Sequence, residues 1–309
     1  MTAPIVNIEH FVGINNIDDS VRLEPEVIYT SRNAYKTNHY LAEAVNLDVD
    51  DSLALVSRTG CTRKISGTDI HSFWAHDDIG FYVDGDKLYS FDKNYDAVEL
   101  YSGLNLGAKM AYAHAVNKVY MTNSSFIGYY YNGVVTALEE PTREFKKSMP
   151  AGQMIAYSKG RLLVAKGRVL YMSDVLTDYY DIRFGFKVFD SEITMVRPIS
   201  DGMYVSDDDT WFLKDAGEDT GNMMGMKKDK VLSEQAVPFT DILVDGQDVG
   251  DDGEKGMRAI WTSATGIFQG DGSGNIASMS PKYMPSIHGR GAGVLRDKDG
   301  ITHYIVTLE

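Results

Sequence analysis

The stretch Ser206-Asp207-Asp208-Asp209-Thr210-Trp211 sets three consecutive carboxylates between the apolar runs Met203-Tyr204-Val205 and Phe212-Leu213. Carboxylates grouped on one loop are hard oxygen ligands of the kind calcium takes. The same residues approach the aspartate box S-x-D-x-G-x-T-W, a structural turn, but lack its glycine and are two residues short. A polar hairpin turn explains the pattern with the fewest demands, and a turn is the expectation. The other acidic clusters, at 48–51, 84–87, 250–254 and 270–275, all miss the EF-hand spacing and match loops between strands.

His71 and His76 lie near Asp77 and Asp78. On a regular strand, residues five apart point to opposite faces, which is wrong for a shared metal. His114 alternates with Tyr112 in an apolar segment, which predicts a hydrogen-bonded core histidine rather than a base. Glu139 and Glu140 are adjacent, and adjacent carboxylates do not converge on one sugar as a glycosidase requires. Arg143, Arg161, Arg168, Arg183, Arg197, Arg258, Arg290 and Arg296 follow no spacing that builds a clamp for a substrate carboxylate. No nucleophile elbow, phosphate-binding glycine loop or Cys/His metal pattern occurs. The expectation is a protein without catalytic, cofactor-binding or metal-binding residues, and not an enzyme.

The elements that would carry these residues repeat. Short apolar-aromatic runs, each followed by a turn and a second apolar run, begin at positions 81, 119, 162, 203 and 259, spaced by 38, 43, 41 and 56 residues. That is the period of a four-stranded propeller blade. The long last interval contains the acidic, glycine-rich stretch 245–256. Asp84-Gly85, Lys166-Gly167 and Thr265-Gly266 supply residues that accept positive φ in tight turns. Segments 108–114, 152–158, 192–199 and 255–261 read as strands entering a blade. The best helix candidates are 38–46 and one turn at 175–181. The fold expected is all-β, a β-propeller of about six blades, five to seven being open. Closure would come from a composite blade of N-terminal strands from 44–65 and a C-terminal hairpin from 291–309. Residues 1–43 carry no repeat and read as an N-terminal arm, with 44–309 as the propeller domain.

Composition agrees with a globular chain. Of 309 residues, 43% are hydrophobic and 24% charged, and a core of ordinary size is expected. Thirty basic against 44 acidic residues give a net charge of −14, which opposes a protein that grips phosphate backbones. The single cysteine, Cys61, permits no internal disulfide and fits a reducing compartment. The N-terminus has no basic residue before Arg22, unlike a signal peptide, and no apolar run is long enough for a membrane span.

Two stretches carry a family resemblance. Residues 41–65 contain Glu43-Ala44-Val45-Asn46, an acidic turn, and then Arg58, Gly60 and Thr62; residues 150–213 contain a Gly-Arg-apolar strand, Leu170-Tyr171-Met172-Ser173-Asp174, and Pro198-Ile199-Ser200-Asp201-Gly202-Met203-Tyr204-Val205. Together, over about 90 of the 309 residues, they resemble the tail-associated β-propeller proteins of tailed bacteriophages, related to nozzle or packaged-DNA-stabilising proteins. The resemblance implies a virion structural protein, located in the tail and made in the host cytoplasm. It also implies a homo-oligomeric ring around a DNA channel, with portal, adaptor or other tail proteins as partners. DNA would pass through the lumen without specific binding, and no cofactor or membrane is involved. The alternative reading is a carbohydrate-binding or glycoside-hydrolase propeller, motivated by Trp211 in its box-like setting and by the abundance of tyrosine.

Overall fold

The computed structural model describes residues 62–214, 223–249, 256–279, 287, 289–298 and 301–308 and, before these, five short strands. Those five are β1 (Phe11–Ile14), β2 (Glu26–Tyr29), β3 (Tyr35–Leu41), β4 (Leu47–Val49) and β5 (Leu55–Ser57). The first three form one sheet with β3 in the middle, and β4 pairs with β5.

Five four-stranded antiparallel blades follow. Blade 1 is β6 (Ile70–His76), β7 (Ile79–Asp84), β8 (Lys87–Phe91) and β9 (Ala97–Ser102). Blade 2 is β10 (Ala111–Ala115), β11 (Lys118–Thr122), β12 (Ile127–Tyr131) and β13 (Val134–Ala137). After β14 (Lys146–Ser148), blade 3 takes β15 (Met154–Ser158), β16 (Arg161–Lys166) and β17 (Val169–Met172); β18 (Tyr179–Asp181) pairs back on β14, and β19 (Phe186–Val188) completes the blade. Blade 4 is β20 (Met195–Ile199), β21 (Gly202–Ser206), β22 (Thr210–Lys214) and β23 (Lys227–Leu232). Blade 5 is β24 (Ile242–Asp245), β25 (Met257–Ser263), β26 (Gly266–Gly270) and β27 (Ile276–Ser278), and the hairpin β28 (Gly291–Lys298) and β29 (Ile301–Leu308) comes last.

The five apolar runs that set the repeat are the second strands β7, β11, β16, β21 and β25. They are conspicuous because each is buried on both faces. In β16, Leu162 and Val164 face blade 2 while Leu163 and Ala165 face blade 4. Successive blades thus share cores: Phe81, Val83 and Leu88 meet Val119 and Met121; Met195, Tyr204 and Phe212 meet Ala259 and Trp261. A strand sandwiched in this way loses its polar alternation and reads as a solid apolar run. Four-stranded blades stacked in series through their faces make the chain a β-propeller.

Three local expectations change. Residues 38–41 belong to β3, not a helix, since pairing with β1 and β2 satisfies their backbone. The turn at 175–181 is no helix either. Thr177 Oγ donates to the Asp174 carbonyl, the local side-chain bond that competes with helix, and Tyr179–Asp181 pair with β14. Residues 257–263 are the second strand of blade 5, not the entering one; that is β24, and the insertion separates the two. At the ends, the two strands foreseen in 44–65 and the hairpin foreseen in 291–309 form, yet among the described residues they are separate two-stranded sheets and do not combine into the composite blade expected. The C-terminal hairpin packs on blade 5, where Tyr304 donates to the Thr240 carbonyl (2.6 Å) and meets Thr262 Oγ (3.0 Å).

Candidate interaction faces

Strands one and three of a blade run the same way, so the turns that follow them share one edge of the sheet. The turns after strand two and the links between blades share the other. The disc therefore has two faces, built from different connections.

On the link face, each turn after strand two is tied to a flanking inter-blade link. Leu104 N–H donates to Asp86 O (3.0 Å); Gly152 N–H to Thr122 Oγ (3.0 Å); Gln153 exchanges two bonds of 2.9 Å with Gly167. In blade 5 Thr265 N–H donates to Glu234 (3.1 Å). The Ser206–Trp211 stretch is blade 4's version of this joint. Asp207, 1% exposed, accepts from the Trp211 indole N–H (2.8 Å), Asp209 N–H (3.1 Å) and Asp190 N–H (3.1 Å). Ser206 Oγ accepts from Ala236 N–H, and Thr210 Oγ donates to the Glu234 carbonyl. Burial alone would raise the Asp207 carboxyl, but the Trp211 indole and the backbone donors of Asp209, Asp190 and Ser191 outweigh it and hold it below the usual aspartate range. Asp209 pairs with Lys230 (2.6 Å). The turn expected from sequence is what forms: two of its carboxylates hold donors of the protein itself. Among the described residues no group of three or more His, Cys, Asp or Glu is placed to hold a metal.

The other acidic clusters behave alike where they are described. Asp84 caps the N–H groups of Thr68 and Asp69, and Asp271 accepts from Ser273 and Asn275 N–H. Residues 250–254, 50–51 and Cys61 lie outside the described residues. Glu140 accepts from Ser148 N–H (3.1 Å). The arginines are dispersed, as expected: Arg143 reaches Tyr179, Arg183 is bidentate on Asp181, and Arg197 binds Asp241. Trp211 is occupied as well, with Lys228 Nζ 3.7 Å above its ring.

Both histidine expectations need correction. A bulge with Ser72 at φ +56° interrupts β6, so His71 lies opposite Val83 and His76 opposite Ile79, on one face after all. Four residues of β7 still separate them, about 13 Å, too far for one metal. His114 is exposed rather than core, and its ring stacks on His76 with centroids 3.9 Å apart, joining blades 1 and 2 at the turn face. Burial, then the charge of His76, lowers its pKa.

Apolar side chains are exposed in the links, at Leu106 (77%) and Phe145 (44%, φ +59°), and more of them at the turn tips of the other face. Val116 (82% exposed, φ +48°), Leu176 (75%, φ +55°) and Tyr95 (46%, φ +67°) sit at turn tips. The structure brings forward these residues, which sequence reasoning missed. The available signal was negative: Ala115-Val116-Asn117-Lys118 joins two strands without glycine, proline or aspartate.

No family model matches the chain, and no curated protein is similar to it. Solved structures are similar in fold. They include the WD40 β-propeller domain of Doa1 (14% identity, 66% of each chain covered, TM-score 0.43) and virginiamycin B lyase from Staphylococcus aureus (11%, 96% and 98%, 0.49). A chain of the mitotic checkpoint complex is a third (13%, 77% and 71%, 0.46). Identities of this size bear on fold alone.

Proposed function

We propose that this chain works by assembly rather than catalysis, as a virion structural protein in the tail or head-to-tail region of a tailed bacteriophage. Copies form a ring around the DNA channel and dock to portal, adaptor or tail proteins. The observation that carries the assembly reading is that carboxylates and polar groups that look like chemistry in the sequence are consumed in holding blades to links, while apolar side chains at positive φ, Val116 and Leu176 foremost, stand exposed at turn tips. The phage setting is supported by the resemblance of 41–65 and 150–213. The −14 charge suits a lumen that DNA crosses without adhering. The carbohydrate reading is less favoured at Trp211, where Lys228 stands over the ring and Asp207 takes its N–H. Mass spectrometry of purified virions tests the assignment: the chain present in copies matching a ring supports it, and absence from the particle overturns it.

A further inference from the structure

We propose that the turn face is a docking surface for a protein whose contact patch is basic and carries apolar side chains. This rests on the reading that the chain acts by assembly, and it holds whichever assembly that is.

The backbone supplies the first argument. A non-glycine residue at positive φ costs about 1–3 kcal/mol, and a β-branched one such as Val116 is a genuine outlier. Among the described residues the other first turns put no β-branched residue there: Asp77 in blade 1 and Lys159-Gly160 in blade 3, with Asn132-Gly133 at the later turn of blade 2. Asparagine or glycine at 116 and 176 would relieve the strain and remove apolar surface from water. Valine and leucine therefore carry two penalties at once inside the isolated chain, and both are offset only when something outside it covers them.

The second argument is that Leu176 is braced in place. Its N–H donates to the Gly160 carbonyl (2.6 Å), and its side chain lies 3.3 Å from where a Cβ on Gly160 would stand. Two turns are bonded together to hold one exposed leucine outward. Tyr131, Val134 and Met224, all at least 42% exposed, stand beside the same set of turns.

Charge selects the occupant. Among the described residues of these turns the exposed carboxylates are Asp77, Asp78, Asp92, Asp96 and Asp201, against Lys93, Lys159 and an Arg183 that is paired with Asp181. A second copy would set acid against acid, whereas a basic patch with apolar anchors complements both features.

The test uses the full-length chain and a fluorescent amphipathic peptide of lysine and leucine, followed by anisotropy, with a glutamate-leucine peptide as comparison. The lysine-leucine peptide is expected to bind, more weakly as salt rises. Hydrogen exchange should then slow at 115–117 and 175–177. The double variant Val116→Asn with Leu176→Asn should bind at least about tenfold more weakly while melting no lower than wild type, because asparagine suits both backbones. Leu106→Asn, 77% exposed on the link face, should bind as wild type does. The proposal is overturned by no binding of the lysine-leucine peptide, by equal binding of the acidic one, or by an equal loss in Leu106→Asn. Sedimentation showing self-association that the double variant abolishes would also overturn it, in favour of a second copy. None of these outcomes depends on whether the chain is found in virions.

Discussion

Replacing Asp207 by alanine removes the acceptor at the centre of the blade 4 joint, and the size of the effect follows from its partners. Three donors converge on this carboxylate: the Trp211 indole, Asp209 N–H and Asp190 N–H, at 2.8, 3.1 and 3.1 Å. Hydrogen bonds to a charged group contribute about 1.5–3 kcal/mol each, and part returns when water reaches the two backbone donors. The expected loss is about 3 kcal/mol, read from urea unfolding. With an unfolding entropy of about 2.1 cal/mol/K per residue, that corresponds to a Tm lower by about 5 °C. The pH dependence has a fixed sign. Because the folded carboxyl is held below its usual range, its contribution is fully present above about pH 4 and is lost as pH falls through the lowered folded value. The gap between wild type and Asp207→Ala should therefore close in acid. Pairing the change with Trp211→Phe should reveal a coupling of about 1 kcal/mol. A loss below about 1 kcal/mol, or a wild-type Tm raised by calcium and insensitive to calcium in Asp207→Ala, refutes the reading of this stretch as a structural joint.

Other expectations follow from single contacts. A methyl group at Gly80 would fall within the Phe91 ring, so Gly80→Ala should destabilise by about 1–3 kcal/mol in thermal unfolding. Burial lowers both His114 and His71, seconded by the charges of His76 and Lys109 respectively. Their contribution is fully present above about pH 6.5 and is lost as pH falls through the lowered folded values, so Tm should drop between about pH 7 and 5 and drop less in His114→Asn. Val116→Asn alone should raise stability by about 1 kcal/mol by relieving a left-handed valine.

How far the sequence could be read depended on how regular the local physics was. The second strands of all five blades were legible because burial on both faces makes them continuous apolar runs. The acidic bends were legible as turns because aspartate caps neighbouring N–H groups, as Asp84, Asp207 and Asp271 do. Parity along β6 was not legible: the bulge at Ser72 inserts one residue and reverses the face of His71. Nor was β18, whose partner among the described residues, β14, lies more than thirty residues upstream in a two-stranded sheet. The entering strand of blade 5 was displaced by an insertion that fell between its first and second strands. The turn face stayed hidden for a different reason. Val116 and Leu176 occupy turn positions without turn chemistry, and an exposed apolar residue in a bend looks like nothing until its φ and exposure are known.

Electron cryomicroscopy of assembled particles tests the central claim most directly, because it asks what covers the turn face. The account predicts a ring of propellers at the tail or head-to-tail junction, with Val116 and Leu176 buried against a neighbouring protein's basic, apolar patch. Particles that lack the chain, or that contain it with this face open to solvent, would contradict it.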